Sequence, residues 1–341
     1  MTRALIVRRA GPGMSLQDRG RPGYLAFGLS RGGAADMLAL DEGAALLGQS
    51  PELPALEMAG MGGEFEATEP TRIALTGAPM RARIDNESVT WNASHMLPAG
   101  SRLSIGAASA GNYGYLHVGG GFAEPERLGA RSAHLAAGIG AVIADGAELA
   151  VGPDGGSQTG NLIDAAKRFD GGTLRVVPSL QTDFFGQSEL NRFEDTRFER
   201  DIRGNRMGVK LNPEGEGFHT EAGLSVLSEI IVPGDIQITG DGAPFVLMSE
   251  CQTTGGYPRI GTVLPSDLPI MAQARPGAAL RFRFVSLDEA VALERKSAET
   301  RKGLRRAVRP LIRDPRDIPD LLSYQLISGV VAGTEDEGEL A

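Results

Sequence analysis

Alternation between apolar and polar positions is the dominant texture of the chain. Leu5-Ile6-Val7, Thr71-Arg72-Ile73-Ala74-Leu75-Thr76, Arg81-Ala82-Arg83-Ile84-Asp85, Tyr113-Gly114-Tyr115-Leu116-His117-Val118 and Leu174-Arg175-Val176-Val177 read as strands bounded by Gly, Pro or Asp. Ile230-Ile231-Val232, Ile236-Gln237-Ile238, Phe245-Val246-Leu247-Met248 and Leu280-Arg281-Phe282-Arg283-Phe284 continue the series, the last with strict period-two alternation. Helices are few. Asp36 can cap a helix over 37–47 that Gly48 ends. Ser286-Leu287-Asp288-Glu289 has capping-box spacing and opens a helix running to about Lys302. The stretch 152–160, Gly-Pro-Asp-Gly-Gly-Ser-Gln-Thr-Gly, reads as a linker, and a fresh strand series follows Gly171-Gly172.

Composition agrees with this mainly β reading. The 341 residues include 47 Gly and 20 Pro, more turn-forming residue than an average chain carries. That length admits one large domain or two closely joined ones. A net charge of -9 argues against nucleic acid as a partner, since phosphate contacts need a basic face. The basic stretch Arg301, Lys302, Arg305, Arg306 and Arg309 reads as a solvated face or a contact with another chain. A single Cys rules out an internal disulfide, and four scattered His residues predict no metal site. No apolar run suits a membrane span, and the first residues lack signal-peptide character, so a cytoplasmic location is expected. The end, 334–341, is acidic and expected to fray.

Three polar clusters could carry chemistry. In 248–261 an apolar strand runs into Glu250-Cys251-Gln252-Thr253-Thr254-Gly255-Gly256-Tyr257-Pro258. Gln252, Thr253 and Thr254 can donate and accept, as recognition of an amide requires, and Gly255-Gly256 lets backbone N–H groups approach a ligand. Glu250 could act as a base or hold an N–H. The plain alternative is a β-bulge and turn whose polar groups bond their own backbone. Cys251 could be a nucleophile, although a lone Cys beside an apolar strand reads first as a small buried residue. The second cluster is Ser15-Leu16-Gln17-Asp18-Arg19-Gly20-Arg21-Pro22-Gly23-Tyr24, where Arg suits carboxylate or phosphate. Its plain alternative is a surface turn with an Asp18–Arg ion pair. The third is Asn205-Arg206-Met207-Gly208, where Arg206 could point into a site or brace a loop. Gly119-Gly120-Gly121 lacks the Lys-Ser/Thr ending of a phosphate loop, and no Gly-x-Ser-x-Gly elbow is present. The halves also echo one another. Gln17, Gly23-Tyr24 to Gly28, then Asp36 parallels Gln252, Gly256-Tyr257 to Gly261, then Asp267, which suggests two related β-modules packed together.

Taken in order, these stretches resemble the allophanate hydrolase subunit 2 family, which includes the C subunit of 5-oxoprolinase, the carboxyltransferase part of biotin-dependent urea carboxylase, and KipA. Besides the three clusters, the match runs through Gly32-Gly33-Ala34-Ala35-Asp36, Ala55-Leu56-Glu57, Ile73 to Ala78, Gly119 to Phe122, Leu128-Gly129-Ala130-Arg131-Ser132, Asp267-Leu268 and Leu322 to Val331. Two positions depart from it: Gly28-Leu29-Ser30 where the family often has Gly-Val-Pro, and Glu250 where Asp is frequent. A carboxylate moved by one methylene puts the substrate in question more than the site.

The resemblance implies a cyclophilin-like β-barrel, with an N-terminal β-module over 1–170, the cyclophilin-like module over 171–290, and a helical and acidic tail over 291–341. It implies a subunit of a heteromeric enzyme acting on a cyclic amide or ureido group, with ATP-dependent opening of 5-oxoproline to glutamate as the preferred activity. Glu250, Gln252 and Thr254 would then be catalytic. Arg19, Arg21, Tyr24, Arg206, Thr253, Gly255, Gly256 and Tyr257 would bind substrate. The expected partners are a subunit-1 protein resembling the B subunit of 5-oxoprolinase and a lactamase-type third subunit. ATP would be shared with a partner, and biotin would come only on another chain, since no Met-Lys-Met is present. Two other readings remain: the carboxyltransferase component of a biotin-dependent urea carboxylase, and a KipA-like regulatory protein.

Overall fold

The computed structural model describes residues 3–220 and 226–312. The acidic end and the Leu322–Val331 stretch lie outside them. Within them the chain is mainly β, with four α-helices, built as two modules.

The N-terminal module is a pair of facing sheets. One runs Glu148–Ala150, Ala4–Arg9, Glu64–Ala67, Arg102–Ala108, Met80–Ile84, Glu87–Val89; the other Ser15–Gln17, Ala55–Ala59, Tyr113–Val118, Thr71–Gly77, Ser94–Leu97. Alternation turns one face of each inward. Leu5, Val7, Phe65 and Ile105 from the first meet Leu56, Ile73, Leu75 and Leu116 from the second in one core. The C-terminal module is a closed seven-stranded barrel: Gly172–Val177, Arg259–Val263, Asp235–Ile238, Pro244–Leu247, Gly208–Pro213, Phe198–Gly204, Ala279–Phe284. Closure joins Gly172–Val177 in parallel to Ala279–Phe284, so no strand edge is left open.

The helices do separate jobs. In α1 (Met37–Leu47) Asp36 accepts from Leu38 and Ala39 N–H, and Gly48 closes the other end in the left-handed region. The sequence predicts this element to the residue. The helix α2 (Gln187–Asp195) has no such signal, and its one buried residue, Phe193, stacks on Phe282 at 4.9 Å between centroids. The short α3 (Leu268–Gln273) follows Asp267. The last, α4 (Leu287–Ala307), starts at the predicted Ser286 cap and extends past Lys302 to lie against α1. There Leu304 and Val308 pack on Leu46 and Leu47. Of the predicted strand Ile230-Ile231-Val232 only Ile230 pairs, within the two-residue Glu229–Ile230. Ile231 instead packs beside Leu247 and Cys251.

Buried polar groups rivet the modules. Gln273 on α3 accepts from Asn112 and Tyr113 N–H at 2.9 and 3.0 Å, and donates to Asp36 Oδ2 at 2.8 Å. Arg168 reaches Asp36 at 2.7 Å and takes Glu42 through both terminal nitrogens. Paired and fully bonded, these charges tolerate burial. The predicted linker is partly fastened as well, because Asp154 forks onto Arg72.

Candidate functional site

The two segments that echo each other in sequence meet where the modules join. Gly32 N–H donates to Ser249 O at 2.9 Å, and the space beside Gly28 opens on Thr253 Oγ1. Both Asp36 and Asp267 stand at helix N-termini, though only Asp36 caps with its side chain. The expected site residues separate into three places around this junction.

The first is a buried charge cluster on Arg206. From the turn before strand Gly208–Pro213 it donates to Glu250 Oε1 at 2.5 Å, to Glu57 Oε1, and to Gly33 O at 2.6 Å. Glu57 also accepts from Ala35 N–H at 2.8 Å and Tyr115 OH at 2.7 Å, and Glu250 from Ala136 N–H at 3.0 Å. Burial works against the guanidinium's charge, but the two carboxylates outweigh it and hold its pKa above the ordinary value. Burial and then Glu57 push the Tyr115 hydroxyl well above its usual range, and Tyr113, for the same reasons, to about 12. Arg206 is thus a clamp across the modules, with each of its three nitrogens engaged.

Beside it lies His134, one of the His residues that looked scattered. Its Nε2 is 2.9 Å from Ser30 Oγ and its Nδ1 3.9 Å from Glu250 Oε2. Nδ1 accepts from Ala137 N–H at 3.3 Å, which leaves the proton on Nε2, donated to Ser30. That is the tautomer opposite to the one a base for Ser30 needs. Burial lowers the His134 pKa against the pull of Glu250, so the ring is neutral near pH 7. Arg21 is fully buried alongside. It donates to Ser132 O and to Arg127 O, and its Nη1 has no partner. Burial lowers its pKa before Asp18 and Glu250 raise it. The Asp18–Arg ion pair anticipated on a surface turn does not form there, for Asp18 binds the N–H groups of Gly20, Arg131 and Ser132.

The second place is an exposed ribbon. Thr254–Gly255 pairs with Glu229–Ile230, while Thr253 O and Gly256 O accept from Ile231 and Val226 N–H. This satisfies backbone groups and leaves the side chains of Gln252, Thr254 and Tyr257 in solvent, Thr253 half-buried. A Cβ on Gly255 would meet Gln237 Nε2, the end of a flexible side chain that would have to shift. Phe27 (82% exposed), Leu227 (86%), Ile230 (59%) and Tyr257 (45%) give this face apolar character unusual for an exposed surface. Tyr24 sits at the start of the 3-10 turn Leu25–Phe27, its ring 6.3 Å from Phe27.

Arg19 forms the third, apart from both, bound to Asp41 of α1 and to Glu52 at 2.9 Å. Cys251 is buried, and burial pushes its thiol up to about 12, so it carries no thiolate near neutrality. The N–H groups of Gly119, Gly120 and Gly121 go to Arg72 O, Gln49 Oε1 and Val118 O, which leaves none for a triphosphate. Among the described residues no group of three or more His, Cys, Asp or Glu is placed to hold a metal, and no helix is long and apolar enough to cross a membrane.

Sequence reasoning passed over Glu57, His134, Ser30 and Tyr115 as site residues. Glu57 did carry a signal, a carboxylate inside the otherwise apolar run Ala55-Leu56-Glu57-Met58-Ala59.

Comparison with known proteins agrees with this architecture. The family model described as carboxyltransferase domain, subdomain A and B, matches residues 27–284. The C subunit of 5-oxoprolinase from Haemophilus influenzae is 33% identical over 302 residues, 86% of this chain and 95% of the relative. That of Escherichia coli is 33% identical, covering 84% and 93%. The crystal structure of TTHA0988 superimposes with a TM-score of 0.75 at 28% identity over 83% of this chain, which spans 55% of that one. The Kluyveromyces lactis urea amidolyase shares the fold, with a TM-score of 0.79 at 22% identity, and this chain spans 21% of it. The chain therefore belongs to the carboxyltransferase domain A and B family, the same group as the C subunits of 5-oxoprolinase.

Proposed function

We propose that this chain is the C-type subunit of a heteromeric enzyme that opens 5-oxoproline to glutamate at the expense of ATP, together with a B-like subunit and a lactamase-type third subunit. The observation that carries the reading is the ribbon of solvent-facing amide and hydroxyl side chains, Gln252 and Thr254, mounted directly on the Glu250–Arg206–Glu57 cluster. The clamp fixes Glu250 and the start of the ribbon on both modules, which is the rigidity that positioning of a substrate amide requires. Gln252 can donate to a lactam carbonyl and accept from its N–H, and the Thr254 hydroxyl can do either. The apolar side chains Phe27, Leu227 and Tyr257 around them suit burial under a partner subunit.

Coverage supports the lactam activity over urea carboxylation. The chain spans 95% of the Haemophilus relative but 17% of the Lachancea kluyveri urea amidolyase, 25% identical to it. The N–H groups of the Gly119–Gly121 run are all taken, so in this reading that run holds no phosphate and the ATP site is one shared with a partner. Arg19 and Arg206, both committed to carboxylates, support no role in holding substrate. A second reading, transfer of a carboxyl group from biotin carried on another chain, follows from the family's name.

The test is to purify the three subunits together and follow ATP hydrolysis with and without 5-oxoproline. The expected result is lactam-stimulated turnover that Thr254→Ala and Gln252→Ala each lower by roughly tenfold or more. Absence of stimulation would sink the reading, and full turnover in both variants would sink the residue roles.

A further inference from the structure

A cavity of about 240 Å³ is bordered by the 124–143 segment, which includes Ala136, the residue whose N–H bonds Glu250. Leu16, Ala133, Ile139 and Ile143 give it an apolar interior. Its exposed lining residues include Arg127, Arg131 and Glu124. Arg131 Nη1 has Glu126 at 3.5 Å, whereas no carboxylate among the described residues pairs with Arg127. Ser132 contributes to the wall of the cavity.

The wall is held from behind. Asp18 accepts from Arg131 and Ser132 N–H at 2.6 and 3.2 Å, and Arg21 donates to the Ser132 and Arg127 carbonyls. A buried cation and a buried carboxylate thus fix one short loop, Arg127 to Ala133, which leads straight into His134. An apolar cavity walled by a braced loop, with charged groups at its rim, is what small-molecule recognition needs. The engineered cavity that admits benzene is about 150 Å³, so this one has room for roughly ten non-hydrogen atoms.

We propose that this cavity binds a small carboxylate with a branched aliphatic body, its carboxylate on Arg127 and its body against Ile139 and Ile143. The site is separate from the ribbon at Gln252–Tyr257, and the proposal does not depend on the lactam activity. It does share a loop with the charge cluster, because His134 N–H bonds Ile139 O and Ala136 N–H bonds Glu250. Occupancy would therefore stiffen the segment that holds Glu250.

Isothermal titration calorimetry on the full chain tests it, with 4-methylpentanoate and L-leucine as probes. Saturable binding of at least one is expected. Tighter binding of leucine would identify an amino acid, its ammonium on Glu124, and tighter binding of the simple acid would exclude that contact. Arg127→Ala should weaken binding roughly tenfold or more, through loss of the charge-assisted pair. Ala141→Phe, a substitution at an exposed lining position, should abolish it by filling the space, and Thr254→Ala should leave it unchanged. No saturable binding below about 10 mM overturns the site. Equal binding by Ala141→Phe places the ligand elsewhere and overturns it too. Unchanged binding in Arg127→Ala overturns the carboxylate assignment.

Discussion

Replacing Arg206 by Met tests whether the clamp joins the modules. Met fills much of the same volume but removes the charge between Glu57 and Glu250, whose side chains are only 3% and 2% exposed. Glu57 keeps the Ala35 N–H and Tyr115 OH, while Glu250 keeps only the Ala136 N–H. Two buried carboxylates then face each other with no cation, and breaking such a pair costs about 3–5 kcal/mol. For a chain of this size that corresponds to a fall in Tm of roughly 4–7 °C. The control is Arg203→Met, whose guanidinium is 68% exposed and pairs with Asp201; exposed pairs are worth about 0–1 kcal/mol. Urea unfolding should be followed by two probes. The single Trp, Trp91, donates to Gly77 O and reports the N-terminal module, whereas far-UV circular dichroism reports both. With the clamp gone the two transitions should separate, and adding Glu250→Gln should recover part of the loss by removing one stranded charge. If Arg206→Met matched the Arg203→Met control by both probes, the clamp would have no bearing on how the modules hold together.

Two further substitutions follow from His117 and its neighbours. His117 is buried against Thr76 at 2.8 Å, and burial drives its pKa down to about 3. Between about pH 6.5 and 3 the unfolded state binds a proton that the native state refuses, so stability is present above that window and is lost as pH falls through it. His117→Gln should flatten the acid limb of a stability–pH curve by up to about 1.4 kcal/mol per pH unit, and an unchanged slope would refute the burial argument. Gly43 on α1 faces the same ring, which a Cβ would overlap. Ala is favoured over Gly inside a helix by about 1 kcal/mol, but overpacking costs about 1–3 kcal/mol, and the Thr76 bond leaves the ring little freedom to move. Gly43→Ala should therefore lower the unfolding midpoint, and a stabilised variant would show that the ring can yield.

What the sequence made legible was whatever is decided locally. Helix α1 was readable to the residue because its two stops, Asp36 and Gly48, each act through bonds within four residues. The strand Ala279–Phe284 was readable because one face is wet, and the alternation records it. The helix α2 was not, since Gly186 supplies no cap side chain and a single buried residue sets no period. The same division runs through the site. Arg206, Arg21 and Arg19 were all singled out as Arg beside Gly in a polar stretch, and all three sit where backbone or charge is concentrated. Whether such an Arg meets a ligand or a carboxylate depends on residues far away in the chain. Glu57 lies 149 positions from Arg206, and the carbonyl that takes Arg21 lies 111 from it. Of the three, only Arg21 keeps a buried N–H with no partner and no carboxylate in hydrogen-bonding contact. A buried cation in that state costs more than one that is paired.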